Sequence, residues 1–179
     1  MPDRFLILTA FAAALTACST PEPQPAQAIA RLQATSGSKV GGDVKFTQKT
    51  GQQVVVNAVI HDLKPNSEHG FHIHDKGDCG DNGNAAAGHF NPLGNPHGKY
   101  DSTQHHMGDL PSLKADSNGV ATVNVQSADI TLLAGPGNVI GRAVIVHAQP
   151  DDYTTQPTGN AGARIACAVI SRALSWWTR

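Results

Sequence analysis

The rhythm of the apolar residues limits this chain more than any other feature. In "GVATVNVQS", residues 119–127, Ala121, Val123 and Val125 fall on one face and Val120, Thr122 and Asn124 on the other. Strict alternation of this kind marks a half-buried β-strand. "AIARLQA", "DVKFTQKTGQQVVVNAVIHDL" (two strand patterns around Thr50-Gly51), "GFHIH", "NVIGRAVIVHA" and "ARIACAVIS" are equally short and rich in β-branched residues. None sustains a 3.6-residue period. Short strands separated by turn signals predict an antiparallel sandwich or barrel. The 18 glycines and 11 prolines supply the turns. With aromatics at 5%, the core must rest on Val, Ile, Leu and Ala. A length of 179 residues suits one domain with extras.

Two stretches break the rhythm. Residues 75 to about 111 are rich in Gly, Asn and His, and residues 148–163 form a second, shorter irregular segment. Loops this long in a compact domain are functional or disordered. The first carries four histidines, and we read it as ordered by bound metal. A formal net charge of -1 with 15% charged residues offers no basic field, so nucleic acid is not an expected partner.

The N-terminus lies outside the fold pattern. One arginine precedes an apolar run over residues 5–15, too short to span a bilayer and fitting a secretory signal. It closes on "LTAC", which resembles a bacterial lipobox and implies cleavage before Cys18 and acylation of that cysteine. The alternative is an ordinary signal peptide cut after "AQA". "STPEPQPAQA" reads as an extended, Pro-rich tether. The expected organisation is therefore a signal peptide (1–17), a tether (18–28), a domain (29–171) and a tail (172–179). The expected location is the periplasmic side of a bacterial membrane, the outer membrane favoured, with the membrane as partner through the Cys18 anchor. Of the three cysteines, Cys79 and Cys167 then remain as an even pair in an oxidising compartment, where a disulfide is the default.

His72 and His74 lie two apart on a strand and face one side, so both can reach one ion. His89, His97, His106, Asp109 and His147 bring the potential ligands to seven, drawn from four segments. Imidazole suits copper, zinc, iron and nickel, and a set of histidines with one carboxylate is enough for two first-row ions.

"GFHIH", "GHFNP", "HMGDL", "VIVHAQPDD" and "GNAGARIAC" occur in the order found in copper/zinc superoxide dismutases, and residues 29–171 resemble that family. The resemblance implies an eight-stranded Greek-key sandwich or barrel with two long functional loops. It places copper on His72, His74, His89 and His147, and zinc on His89, His97, His106 and Asp109, with His89 bridging. It makes Asp151 the outer carboxylate joining His72 to His97. It implies dismutation of superoxide to dioxygen and hydrogen peroxide by a Cu(II)/Cu(I) cycle, with His89 carrying a proton and Arg164 guiding the anion. Cys79 would pair with Cys167 and fasten the metal loop to the last core strand.

His69 matches a structural position of that family, and His61 reads as solvent-facing. His106 has the H-x-G-D offset to Asp109, while His105 beside it stays open as the alternative ligand. Asp152 reads as a solvated loop acid. "YTTQPTGNAGA" lacks the Lys and Glu common in the family's second loop, leaving Arg164 to attract the anion with Lys76, Lys99 or Lys114 as helpers. Trp176 and Trp177 read as packing onto the sandwich, or else as a homodimer or membrane contact. The competing functions are a copper-delivery module and a zinc-stabilised structural sandwich. The complete copper set, Arg164 and the lack of Cys-x-x-Cys or Met-rich motifs favour the enzyme.

Overall fold

Alternation in the sequence becomes alternation in burial. A computed structural model describes residues 24–35 and 37–173. The strands are β1 (Ala26–Ala34), β2 (Gly41–Gln48), β3 (Val54–His61), β4 (Glu68–His69), β5 (Phe71–His74), β6 (Leu113–Lys114), β7 (Ala121–Ser127), β8 (Ala143–His147), β9 (Arg164–Val169) and β10 (Ser171–Arg172). A kinked 3-10 segment, Asp81–Ala86, interrupts the first long loop. In β3, Val54, Val56, Ala58 and Ile60 are buried while Val59 and His61 face solvent. β7 buries Ala121 and Val123 and exposes Thr122 and Asn124, as its sequence predicts.

The main sheet is antiparallel and has eight strands. Its order is β5-β8-β9-β1-β2-β3-β7, with β10 paired to β1 off that path. β4 and β6 form a separate two-stranded sheet. The expected all-β architecture with two long loops is therefore the observed one. The curled sheet encloses an apolar core around Val44, Phe46, Val56, Ile60, Phe71 and Ile73.

β5 and β8 do not alternate; every residue in them is buried. One face carries Phe71, Ile73, Val144 and Val146 into the core. The other carries His72, His74, Ala143, Ile145 and His147 beneath the long loops. There Ala143, Ile145 and Cys167 form a second apolar cluster with Ala86 and Cys79. The free edge of β5 is also covered. Phe90 donates to the Ile73 carbonyl (2.8 Å), Ile73 to Gly108 (2.8 Å) and Leu110 to Phe71 (3.2 Å). Gly108 runs so close to the Ile73 carbonyl that a β-carbon there would collide with it.

β1 opens at Ala26 and pairs that residue with Gln48, so the first strand begins inside the stretch read as tether. The Pro-rich sequence before it masked the strand's first turn-free residues. The signal peptide, Cys18, Trp176 and Trp177 lie outside the described residues. Among the described residues no helix is long and apolar enough to cross a membrane.

Candidate metal centre

Three elements deliver the histidines to one place. β5 presents His72 and His74 on its outer face, and β8 ends on His147 beside them. The loop between β5 and β6 returns along the β5 edge, bridging His89 to His74 and Asp109 to His72. Two groups of four result: His72, His74, His89 and His147, then His89, His97, His106 and Asp109. Within each group the donor atoms lie within 4.8 Å of one another, and all seven residues are buried. His89 belongs to both.

Hydrogen bonds at the outward ring atoms fix which nitrogen faces inward. His72 donates from Nε2 to Asp151 Oδ2 (2.7 Å), leaving Nδ1 for the centre. His74 donates from Nδ1 to the Ala87 carbonyl (2.9 Å), and His147 from Nδ1 to the Gly162 carbonyl (3.2 Å). Both therefore turn Nε2 inward, and those two nitrogens stand 3.3 Å apart. Two lone pairs at that distance call for a cation between them. His97 donates from Nε2 to Asp151 Oδ1 (2.9 Å), turning Nδ1 toward Asp109 (3.1 Å). His89 holds Asp109 through Nδ1 (2.8 Å) and aims Nε2 at the other group. His72 Nδ1, His89 Nε2, His97 Nδ1 and His106 Nδ1 are buried without a hydrogen-bond partner. Buried polar atoms are rarely left so, and orphaned imidazole nitrogens converging on two points fit two metal ions.

The electrostatics of the two groups differ. Burial, reinforced by neighbouring histidine charge, keeps His74 well below its usual pKa and pushes His89 to about 4 and His147 to about 3. These rings stay neutral near neutral pH, as metal ligands must be. Burial opposes charge on His97 as well, but the Asp109 and Asp151 carboxylates overcome it and raise its pKa to about 9. Burial also works against ionising Asp109; the attraction of the His106, His89 and His97 rings packed around it outweighs burial and holds the carboxyl far below its usual range. Its Oδ2 also accepts the backbone N–H groups of His106 (2.9 Å) and Gly98 (3.2 Å).

Asp151 joins His72 to His97 as expected. Behind it Gly159, at φ +65°, passes so close to the Asp151 carboxylate and His97 Nε2 that a side chain would be excluded. Cys79 and Cys167 form a disulfide (Cα–Cα 5.7 Å). Arg164 donates to the carbonyls of Gly83 and Ala87; the latter also holds His74. A register shift puts Arg164, rather than Ile165, opposite His147 while Ala166 pairs with Val146. This β-bulge brings Arg164 to the metal side, where its charge acts on His74 and His147.

His69 donates from Nδ1 to the His147 carbonyl (2.8 Å) and so supports a site residue without entering the site. His61 is exposed beside Asp62. His105 turns away, bonding the His106 carbonyl through Nδ1 (2.8 Å), so His106 is the residue that joins the group. Asp152 is exposed and accepts the N–H groups of Thr154 and Thr155. Lys99 pairs with Asp101 (3.1 Å). Two supporting residues lack any sequence signal. Arg142 bonds the Asp75 carbonyl and carboxylate (both 2.6 Å) and lies 3.6 Å over the Phe90 ring, next to His89. Gln156 bonds the backbone of His97. A lone polar residue in a loop carries no periodicity or spacing by which its partner could be read.

Residues 40–170 match the family described as copper/zinc superoxide dismutase (SODC). The chain belongs to the copper/zinc superoxide dismutase family. Membership makes it an enzyme of superoxide dismutation with copper and zinc as cofactors, and the two donor groups are what those ions need. The chain is 43% identical over 156 residues to a Cu-Zn superoxide dismutase of Paramecium bursaria Chlorella virus 1, covering 84% of this chain and 80% of the relative. A second relative, Cu-Zn superoxide dismutase 2 of Aquifex aeolicus (strain VF5), is 39% identical over 152 residues, 82% of this chain and 88% of its own. Among solved structures, the double mutant of a SOD-like protein from Bacillus subtilis superposes with a TM-score of 0.72 at 35% identity, covering 80% of this chain and 96% of that one. The clock protein EA4 superposes at 0.74 with 36% identity, covering 87% and 99%. The fold thus appears under more than one description, and the donor groups carry the functional argument.

Proposed function

We propose that the chain converts two superoxide anions and two protons into dioxygen and hydrogen peroxide at the His72, His74, His89 and His147 group. That group would hold copper, and His89, His97, His106 and Asp109 would hold zinc. The observation that carries this reading is the pair of four-donor groups sharing His89, with the inward nitrogens of His72, His89, His97 and His106 orphaned. Bound copper would supply a one-electron Cu(II)/Cu(I) couple and bound zinc a fixed charge without redox chemistry.

The chain's own residues do the rest. Arg164, its fork held by two carbonyls, offers a fixed cation beside His74 and His147 that attracts and orients a small anion. His89 is placed to hold a proton at Nε2, because Asp109 keeps its Nδ1 on the zinc side. Burial disfavours a cationic ring there and holds the metal-free His89 at about 4. Asp151 holds His72 and His97 together, so the two groups keep a common geometry.

The protein is further proposed to be exported and lipid-anchored through Cys18 on the periplasmic side. The Cys79–Cys167 disulfide supports an oxidising compartment.

The test is metal content of the purified domain together with superoxide consumption, with and without added copper. About one copper and one zinc per chain, with activity lost in His147→Ala, is the expected result. A protein that holds zinc but consumes no superoxide after copper is supplied overturns the reading. Labelling with a radioactive fatty acid, lost in Cys18→Ala, tests the anchor.

A further inference from the structure

We propose that Gln156 is a positioning residue for His97, acting through that residue's backbone rather than its ring. The proposal rests on the zinc-side reading of the centre and deepens it. His97 sits between Pro96, which has no N–H, and Gly98, in a stretch without strand partners. Its own N–H donates to Gln156 Oε1 (2.8 Å) and its carbonyl accepts from Gln156 Nε2 (2.9 Å). One side-chain amide thereby replaces the neighbouring strand that the loop lacks.

The same loop also takes the other end of His97. Asp151, five positions earlier, accepts from His97 Nε2 (2.9 Å). Ring and backbone are thus gripped from one segment, and the inward Nδ1 is fixed between them. The loop is itself anchored: the Tyr153 hydroxyl donates to Ser112 Oγ (2.8 Å), and its N–H to Asp151 Oδ1 (2.7 Å). With Gln156 gone, Asp151 still holds the ring tip, but the backbone can swing and carry Nδ1 away from Asp109 and His106.

Gln156 is exposed, so its replacement removes no core packing. A bland surface residue would therefore change nothing, whereas outer partners of metal ligands typically matter by about 10–100-fold in metal affinity. The experiment compares metal-loaded wild type with Gln156→Ala, Gln156→Glu and Thr155→Val. The last removes a bond to Asp152 in the same turn without touching His97. Zinc release to a chelator at about neutral pH is timed, and the visible spectrum of cobalt(II) placed in the zinc position reports ligand geometry. Gln156→Ala is expected to release zinc about tenfold faster and to shift the cobalt bands. Gln156→Glu keeps the acceptor, loses the donor and falls between. Thr155→Val matches wild type.

If wild type holds zinc and Gln156→Ala matches it in both readouts, the proposal is overturned alone. If Thr155→Val mimics Gln156→Ala, the effect is general loosening of the turn, and the proposal is overturned. A wild-type protein that takes up neither zinc nor cobalt overturns the reading of the centre and this proposal with it.

Discussion

The two halves of the metal centre come from different kinds of structure. His72, His74 and His147 stand on β5 and at the end of β8, strands buried on both faces and paired to each other. His97, His106 and Asp109 all come from one irregular loop and share an ionised carboxylate. The strand-borne half is placed by the barrel's own hydrogen bonds, and burial keeps His74 and His147 neutral. The loop-borne half holds its shape through charge, since Asp109 ties His89, His97, His106 and Gly98 together. A rigid scaffold thus aims one group of donors while a loop closes the other over it.

The sharpest way to break this contrast is to remove one ligand from each half. His147→Ala is expected to abolish superoxide consumption while leaving zinc content and circular dichroism near wild type. His106→Ala is expected to lose zinc first and lower the melting temperature. Should His147→Ala unfold the protein as readily as His106→Ala, the strand-borne half is not preorganised. Next in size is Asp109→Ala, which strands buried histidines without their common acceptor. Removing one partner of such a buried pair costs roughly 3–5 kcal/mol, and denaturant titration of the metal-free protein would register it.

A smaller, purely functional effect belongs to Arg164, which touches no zinc-side ligand. Arg164→Ala is expected to lower kcat/KM by roughly 10²-fold with both metals retained. Steady-state rates across ionic strength, with metal analysis alongside, measure this. An unchanged rate would assign anion attraction elsewhere.

The gentlest test is pH. In the unfolded chain these histidines titrate near 6.5; in the folded, metal-free protein His89 and His147 titrate at about 4 and 3. Between those values the unfolded chain binds more protons, so stability falls as pH drops from 6.5 toward 4. His97 acts oppositely: the folded protein keeps its proton, and the stability this gives is lost as pH rises from 6.5 through about 9. Metal-free stability should therefore peak near pH 6.5, and chemical denaturation across that range would show it. Zinc uptake near neutral pH should release the proton that His97 holds, while copper uptake draws none from His74 or His147. Calorimetry in buffers of different ionisation enthalpy separates the two.

The strand-borne half was the more legible in sequence. Spacing of two puts His72 and His74 on one strand face, and alternation marks β7 before any coordinates exist. The loop-borne ligands needed the family resemblance: the H-x-G-D offset points to His106, but spacing alone leaves His105 beside it open. Their difference is tertiary: His105 points to its neighbour's carbonyl and His106 inward. Arg164 was expected at the site from its motif, yet an offset of three from Cys167 puts the two on opposite faces of a regular strand. The bulge at Ile165 reconciles them, and bulges leave little trace in composition. Gln156 and Arg142 were invisible because each acts on backbone atoms far away in the chain.

The covered edge of β5 has a consequence beyond catalysis. Phe71 and Ile73 exchange backbone hydrogen bonds with Phe90, Gly108 and Leu110, all carried by the loop that bears His89, His97, His106 and Asp109. A strand edge stripped of such cover is a template for pairing with another chain. The donors on that loop thus also guard against self-association, because holding the loop in place keeps the backbone groups of β5 covered.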